Sequence, residues 1–308
     1  MYGSRNGLSY HGALKVSGAR LTGRTGEKAV LRGMSSHGMQ WYPRFASVES
    51  IRRTKEAGAN VFRIAMYTGE GGYLSNPSVK RDVINAADAA LSLDMYAIID
   101  WHILSDNDPL ANVESAEAFF EEISLLYANN PGIIYEICNE PNGAEVTWAK
   151  SVKPYAERII PVIRKNSPEA VILVGNPTWS QDVNICAADP LGFENIMYTL
   201  HFYAGTHGAE LRGKCEKALD AGAAVFVSEW GTSAADGSGG TFLKQSDEWM
   251  DFLDRHDLSW CNWSLCDKNE SSAALLPGAP ENWTREHLSG SGRYVLGRLG
   301  AKSEGTYD

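Results

Sequence analysis

The amino-acid sequence predicts an α/β fold, a (β/α)₈ barrel that follows a short N-terminal β-hairpin. Eight apolar runs of strand length alternate with amphipathic helical patterns along most of the 308 residues. The runs are nearly continuous and rich in Ile, Val and Tyr, which is typical of parallel strands covered on both faces. Eight strand-and-helix repeats are the pattern of a TIM barrel, which spans about 250 residues or more as one domain.

The elements follow from the order of these patterns. The stretch 8–32 is punctuated by glycine and partly alternating, which indicates the hairpin. Residues 1–29 are assigned to it and residues 30–300 to the barrel. Strands are expected at 30–34, 60–66, 96–100, 133–137, 171–174, 196–203, 224–227 and 258–263. Helices are expected at 48–57, 77–93, 115–127, 146–164, 209–219 and 245–255, with weaker patterns at 179–187 and 294–299.

A doubly wound open sheet is the alternative arrangement of alternating strands and helices. That fold places a glycine-rich phosphate loop after its first strand. The segment Gly33-Met-Ser-Ser-His-Gly38 lies at this point, and its glycine spacing does not fit such a loop. No linker, repeat or low-complexity stretch divides the chain, so residues 1–308 are interpreted as a single domain.

Composition restricts the possible partners of the chain but does not settle its compartment. Lys and Arg number 28 against 38 Asp and Glu, and this net charge of −10 disfavours nucleic acid and anionic membranes, because phosphate binding needs clustered cations. No apolar run reaches the roughly 18 residues of a membrane span. Residues 1–5 carry no apolar signal-peptide region. The five cysteines include no CxxC pair, which favours buried reduced thiols over a disulfide scaffold or a zinc ribbon.

Polar side chains lie at or near the ends of six apolar runs. The carboxyl ends of barrel strands converge on one mouth, where active sites lie. The sequence therefore predicts a site there. The residues at these strand ends are Arg63, His102, Asn139, Glu140, His201, Tyr203, Glu229 and Trp263. Arg63 lies inside an apolar run, so it needs a carboxylate partner within the barrel.

Two of these residues, Glu140 and Glu229, are carboxylates at the ends of the fourth and seventh runs. A metal site is disfavoured, because no HExxH motif or carboxylate triad is present and Arg63 would repel a cation. A Ser-His-Asp hydrolase is disfavoured by the absence of a G-x-S-x-G motif. Paired carboxylates among hydrogen-bonding and aromatic neighbours suit glycosidic bond cleavage. The nine tryptophans offer apolar faces on which sugars could stack.

Four motifs together resemble the catalytic signatures of glycoside hydrolase family five. They are Trp101-His102, Asn139-Glu140-Pro141, His201-Phe202-Tyr203 and Ser228-Glu229-Trp230-Gly231. The resemblance runs from about residue 33 to residue 276 and is strongest to the bacterial endo-β-1,4-glucanases, or cellulases, of that family. The segments 201–208 and 263–273 look like the substrate-binding loops of these enzymes.

The resemblance implies a catalytic role for each carboxylate. Glu140 corresponds to the general acid/base and Glu229 to the nucleophile of a retaining double displacement, which requires carboxyl groups about 5–5.5 Å apart. Glu140 must begin protonated and Glu229 must be ionised. Arg63 is expected to keep Glu229 ionised through its positive charge.

The resemblance also implies roles for the neighbours of the carboxylates. Asn139 is expected to bond the sugar 2-hydroxyl, and Tyr203 to donate its hydroxyl to the nucleophile. His201 is expected to support the hydrogen-bond network around the nucleophile, and His102 to contact the sugar or the residues around it. Trp263 is expected to form the floor of the cleavage site, with a cis peptide bond after it.

Substrate-binding residues are expected beyond the reacting bond. By resemblance they are His37, Trp41, Tyr67, Trp179, Trp263, Lys268 and Glu270. Trp41 would stack a sugar on the non-reducing side and Trp179 one on the leaving-group side, while Lys268 and Glu270 would bond outer sugars. The alternative is core packing for the aromatic side chains and a solvated loop for the charged pair.

These expectations describe a single catalytic domain that cleaves internal β-1,4-glucosidic bonds in cellulose or soluble β-glucans with retention. No metal or other cofactor is expected, and the chain is expected to act as a monomer. An extracellular location is expected because polysaccharides do not enter cells. The same mechanism on mannan, xylan or xyloglucan is an alternative, because only the outer binding residues would discriminate. A non-catalytic carbohydrate-binding protein is the second alternative.

Overall fold

Eight parallel strands close into a barrel in the computed structural model, which describes residues 6–300. An antiparallel pair, β1 (Lys15–Ser17) and β2 (Arg20–Thr22), precedes them. The barrel strands are β3 (Arg32–Ser36), β4 (Val61–Tyr67), β5 (Tyr96–His102), β6 (Ile133–Glu136), β7 (Ile172–Val174), β8 (Ile196–Tyr203), β9 (Val225–Gly231) and β10 (Trp260–Leu265). Each pairs with the next, and β10 closes on β3. The predicted TIM barrel and hairpin are confirmed.

Helices connect the strands on the outside of the barrel. They are α1 (Leu8–His11), α2 (Val48–Glu56), α3 (Val79–Ser92), α4 (Val113–Leu126), α5 (Lys153–Asn166), α6 (Pro177–Ser180), α7 (Val183–Ala188), α8 (Ala209–Asp220), α9 (Leu243–Arg255) and α10 (Gly290–Gly300). Short 3₁₀ turns lie at Pro43–Ala46, Pro109–Asn112 and Arg285–His287, and a π-helical turn at Trp148–Val152 precedes α5. The helix α1 lies before the hairpin and was not anticipated by the sequence patterns.

Most element boundaries differ from the sequence prediction by one to four residues, and the differences include the starts of one strand and two helices. The first barrel strand begins at Arg32 instead of residue 30, because the Leu31 N–H bonds to the Ser259 hydroxyl rather than to a neighbouring strand. The helix predicted at 146–164 begins with a π-helical turn. The last helix starts at Gly290, earlier than its weak helical pattern indicates. A Cβ at Gly292 would lie 2.0 Å from the Ala274 carbonyl oxygen, so tertiary packing requires glycine in its first turn.

The hairpin covers the amino-terminal end of the barrel. Leu14 and Leu21 are 5% exposed and share an apolar cluster with inward-facing strand residues such as Ile98 and Phe226. The Tyr96 hydroxyl donates to a backbone carbonyl ahead of β1 over 2.7 Å. The bottom of the barrel is therefore closed, and the opposite, carboxyl-terminal mouth is left for the site.

Other sequence expectations concern the chain as a whole. All five cysteines are buried and free, as predicted. Within residues 6–300, no helix is long and apolar enough to cross a membrane. Residues 1–5, on which the expectation about a signal-peptide region rests, and residues 301–308 lie outside the described part of the chain. The assignment of 1–308 to a single domain stays a prediction.

Candidate active site

A cleft of about 600 Å³ opens at the carboxyl ends of the barrel strands. Its lining includes the predicted site residues His37, Tyr67, His102, Glu140, Trp179, His201, Tyr203, Glu229, Trp263, Lys268 and Glu270. It also includes His207, from the expected binding loop 201–208, and residues that the sequence did not indicate, namely Leu104, Gln181, Ala235, Asp236 and Gly237. These follow the same strands, but nothing in their residue types distinguishes them from ordinary loop residues.

The two predicted catalytic carboxylates face the same space. One oxygen of Glu140, one oxygen of Glu229 and one ring nitrogen of His201 all lie within 4.8 Å of one another. The Glu140 side chain is 12% exposed and the Glu229 side chain 6%, so each reaches the cleft from a largely buried position. These three groups could ligate a cation. The Arg63 guanidinium 3.0 Å from Glu229 opposes one electrostatically, and the absence of a metal cofactor stays a prediction.

Arg63 lies beneath the cleft in a network of three carboxylates. Its guanidinium is fully buried and contacts Glu136 at 2.7 Å, Asp100 at 2.9 Å and Glu229 at 3.0 Å. Burial lowers the pKa of Arg63, but these three negative charges outweigh it and raise the pKa well above its ordinary value. Burial raises the pKa of Glu136, but Arg63 and His201 outweigh it and lower the pKa to about 2. The sequence predicted one carboxylate partner for Arg63, and the structure provides three.

The amide of Asn139 fixes the protonation of His102. Arg63 Nη2 donates to Asn139 Oδ1 over 2.6 Å, so Asn139 Nδ2 donates to the Ile103 carbonyl at 3.1 Å and faces His102 Nε2 at 3.3 Å. His102 Nε2 must then accept, which places the ring proton on Nδ1, where it donates to Asp100 over 2.6 Å. Burial and the charge of Arg63 lower the pKa of His102 to about 3, which agrees with this neutral ring.

The hydroxyl and imidazole predicted around the nucleophile serve different carboxylates. The Tyr203 hydroxyl donates to Glu229 Oε1 over 2.7 Å, as expected. His201 joins the same network on the side of Glu140, because its Nδ1 lies 2.9 Å from Glu140 Oε1 and its Nε2 lies 2.9 Å from the Ser228 hydroxyl. Its expected support of the network around the nucleophile stays a prediction. Successive inward side chains of β8 lie at different depths. His201 is the deeper one and meets Ser228, while Tyr203 lies nearer the mouth.

His201 is expected to make stability fall in alkaline solution. Burial lowers its pKa, but hydrogen bonds to Glu136 and Glu140 and nearby negative charge outweigh burial and raise the pKa from 6.5 to about 9. The stabilisation is therefore complete below pH 6.5 and is lost as the pH rises to about 9, with release of about one proton on unfolding. Calorimetric Tm values across this range should fall, and the fall should be absent in His201→Gln. An equal fall in the variant would contradict this assignment.

Aromatic rings form the floor and one wall of the cleft. Trp263 is 6% exposed, and the peptide bond that joins it to Ser264 is cis, as predicted. Its ring is stacked on His102 at a centroid distance of 5.2 Å and lies 4.9 Å from the His37 ring. Burial and the charge of Lys268 lower the pKa of His37 to about 3. The floor is therefore made of neutral rings, a surface suited to the apolar face of a sugar.

Two tryptophans stand out by their exposure near the cleft. Trp41 is 45% exposed and lies 4.9 Å from the Tyr67 ring, while Trp179 is 46% exposed and lines the cleft itself. The core-packing alternative therefore does not apply to either ring. Lys268 and Glu270 form an ion pair of 2.6 Å at the cleft instead of a fully solvated loop.

Comparison with known proteins agrees with this geometry. The family model for Cellulase (glycosyl hydrolase family 5) matches residues 22–269. The chain belongs to glycosyl hydrolase family 5. Among solved structures of the family, Cellulase Cel5C_n is 43% identical, with a TM-score of 0.92 over 97% of this chain and 94% of that one. The catalytic domain of alkaline cellulase K is 38% identical, with a TM-score of 0.91 over 97% of each chain.

The relatives by sequence include named endoglucanases and cellulases. Endoglucanase A of Evansella cellulosilytica is 54% identical over 89% of this chain and 57% of its own length. Cellulase CelDZ1 of Thermoanaerobacterium is 44% identical over 93% of this chain and 80% of its own length. This family 5 chain spans between 57% and 66% of the length of four endoglucanases that it matches at 49–54% identity.

Proposed function

We propose that this chain hydrolyses internal β-1,4-glucosidic bonds of β-glucans with retention of the anomeric configuration. The observation that carries the proposal is the approach of the Glu140 and Glu229 oxygens to within 4.8 Å. Retaining glycosidases hold their carboxyl groups about 5–5.5 Å apart, whereas inverting enzymes leave about 6.5–9.5 Å for a water molecule. The separation therefore favours direct attack by one carboxylate on the sugar.

In the first step, Glu229 attacks the anomeric carbon and Glu140 protonates the leaving oxygen. Tyr203 and Arg63 each contact one oxygen of Glu229, and these two contacts orient the carboxylate. The proton for the leaving group lies in the 2.9 Å hydrogen bond between Glu140 Oε1 and His201 Nδ1. The C–O bond to the leaving sugar breaks as the ester to Glu229 forms.

In the second step, water hydrolyses the glycosyl ester. The negative charge of Glu229 is absent in the ester, so the Glu140 carboxylate can accept a proton from water as that water attacks the anomeric carbon. Asn139 Oδ1 accepts one hydrogen bond from Arg63 and has a second lone pair, so it is the proposed acceptor for the sugar 2-hydroxyl, an interaction that strengthens in the transition state.

The shape of the cleft supports action on internal bonds of a long chain. Exposed tryptophan faces lie on two sides of the carboxylates, Trp41 beside Tyr67 and Trp179 in the cleft, so sugars can extend in both directions from the reacting bond. We assign His37, Tyr67 and Trp263 to the central sugar and Lys268 with Glu270 to outer sugars. The family 5 endoglucanase Cel5A of Thermobifida fusca, which is 34% identical, was solved with cellotetraose.

The test of the proposed substrate is a reducing-sugar assay on soluble β-glucan, mannan, xylan and xyloglucan side by side. We expect reducing sugar to be released from β-glucan with a kcat/KM well above the values for mannan, xylan and xyloglucan. A preference for any of the other three would keep the mechanism and change the substrate. Binding of all four without release would indicate a carbohydrate-binding protein and would overturn the proposal.

Replacing Trp41 by Ala is expected to raise KM for short cello-oligosaccharides more than it lowers kcat. The ring offers a stacking face remote from the reacting bond, so its loss removes binding shared by the ground state and the transition state. Initial rates on cellotriose and cellopentaose measure both constants. A fall in kcat at unchanged KM would instead place Trp41 in the chemical step.

The proposed setting follows from the size of the substrate. We propose that the enzyme acts outside the cell, because a β-glucan polymer does not enter it. A monomeric state, and the absence of nucleic acid, membrane and cofactor partners, stay predictions. Size-exclusion chromatography with light scattering measures the oligomeric state directly.

A further inference from the structure

The cleft contains a segment of unusual backbone directly beside the catalytic carboxylates. Thr178, Trp179 and Ser180 have φ values of 58°, 55° and 57°. Non-glycine residues rarely take positive φ, and a run of three persists only where surrounding contacts determine it. This left-handed turn carries the exposed Trp179 ring into the cleft. The contacts that hold the turn therefore also fix the position of the Trp179 ring, on which a sugar is proposed to stack.

The buried hydroxyl of Ser180 joins this turn to the segment that carries the acid. Ser180 is 0% exposed, and its Oγ donates to the Asn139 carbonyl over 2.6 Å while accepting the Asn176 N–H at 3.2 Å. The Trp179 N–H donates to the Pro141 carbonyl over 3.1 Å. Two hydrogen bonds thus tie the turn to the residues on either side of Glu140.

The other hydrogen bonds in this region hold either Glu140 or the left-handed turn, but do not connect the two. Glu140 has its own contacts, since its N–H donates to the Ile103 carbonyl and its side chain bonds to His201. The outer edge of the turn is held by Asp182, which accepts from the Thr178 hydroxyl over 2.7 Å. The Ser180 side chain connects the turn to the segment that carries Glu140, through its hydrogen bond to the Asn139 carbonyl.

We infer that Ser180 is a positioning residue. Its hydroxyl holds the Trp179 ring at a fixed position relative to the Glu140 carboxyl group. A sugar stacked on Trp179 then presents its glycosidic oxygen to the acid. This inference rests on the proposed function and adds to it a coupling between leaving-group binding and protonation. A displacement of about 1 Å between a bound group and a catalytic group lowers rates by up to about 100-fold, so the hydroxyl should matter to substrates that use both.

The test compares two substrates in a Ser180→Ala variant. Cellopentaose places sugar on Trp179 and needs protonation by Glu140, whereas dinitrophenyl β-cellobioside has a leaving group that needs neither. We expect kcat/KM for cellopentaose to fall about 10- to 100-fold and that for the aryl substrate to change less than about twofold. In a Trp179→Ala background, adding Ser180→Ala should change the cellopentaose value less than about twofold.

Two further variants separate positioning from stability. Ser259→Ala also removes a buried hydroxyl that accepts a backbone N–H, but at the opposite end of the barrel, so the ratio of the two substrates should not change. Ser180→Gly lacks the hydroxyl and suits a positive φ, and it replaces Ser180→Ala if that variant does not fold.

Three results would overturn the inference. They are an equal loss on both substrates, no loss on cellopentaose, and an undiminished loss in the Trp179→Ala background. Failure of the wild-type enzyme to cleave either substrate would instead overturn the proposed function.

Discussion

Replacing Glu229 by Gln is expected to lower kcat/KM on β-glucan by roughly 10⁴- to 10⁶-fold, the range seen when a catalytic nucleophile is removed. Glutamine has nearly the same shape but cannot attack the anomeric carbon. Tyr203 and Arg63, which contact the two oxygens of Glu229, should stay in place, so the folded state should persist. Reducing-sugar release measures the activity and circular dichroism the fold.

The same substitution at the proposed acid, Glu140, gives a comparison with the loss of activity in Glu229→Gln. Glu140→Gln is expected to lose roughly 10²- to 10⁴-fold on β-glucan, the range for general acid catalysis, and much less on an aryl glycoside with a good leaving group. Glu229→Gln should lose both activities. An exposed carboxylate just before β8, at the opposite end of the barrel from the cleft, is Glu194, and the control substitution Glu194→Gln should change neither activity. Retained sugar release in both active-site variants would refute the assignment of the pair.

Replacing Arg63 by Met is expected to lower the free energy of unfolding by about 3–5 kcal/mol, because breaking a buried ion-pair network leaves its other members uncompensated. Asp100 and Glu136 are 0% exposed and would lose their shared cation, and Glu229 would lose its contact at 3.0 Å. Urea unfolding of the wild type and the variant measures the difference.

A surface arginine is the matched control for Arg63. Arg158 contacts Glu117 at 2.7 Å and Glu114 at 3.5 Å, but its side chain is 42% exposed. Water screens such pairs, so Arg158→Met should leave the free energy of unfolding nearly unchanged. Similar losses in the two variants would mean that Arg63 is not the centre of the buried charge network.

The barrel and much of its mouth could be predicted because parallel strands leave a clear mark in sequence. A continuous apolar run that ends in a polar residue identifies both the strand and the end that faces the site, as at Glu140 and Glu229. The position of Arg63 within such a run also showed that a buried carboxylate must lie nearby. For these residues, the periodicity along the chain is sufficient to predict their position in the barrel.

Other parts of the site depend on contacts across the barrel, which periodicity does not contain. The sequence requires a partner for Arg63 but does not select Asp100 and Glu136 from the other carboxylates. The sequence also does not show which carboxylate His201 bonds, because the depth of a side chain in a tilted barrel is not visible along one strand. The left-handed turn at Trp179 contains no glycine, so its conformation leaves no local signal and follows from bonds to residues about 40 positions away.

The stereochemistry of the first product tests the central claim most directly. Proton NMR of a cello-oligosaccharide digest, recorded within the first minutes, distinguishes the two anomers before they equilibrate. One oxygen of Glu140 and one of Glu229 lie within 4.8 Å of each other, which predicts double displacement. The β-anomer should therefore form first, and the α-anomer should follow by mutarotation. Initial formation of the α-anomer would show single displacement and would contradict the assignment of Glu229 as the nucleophile.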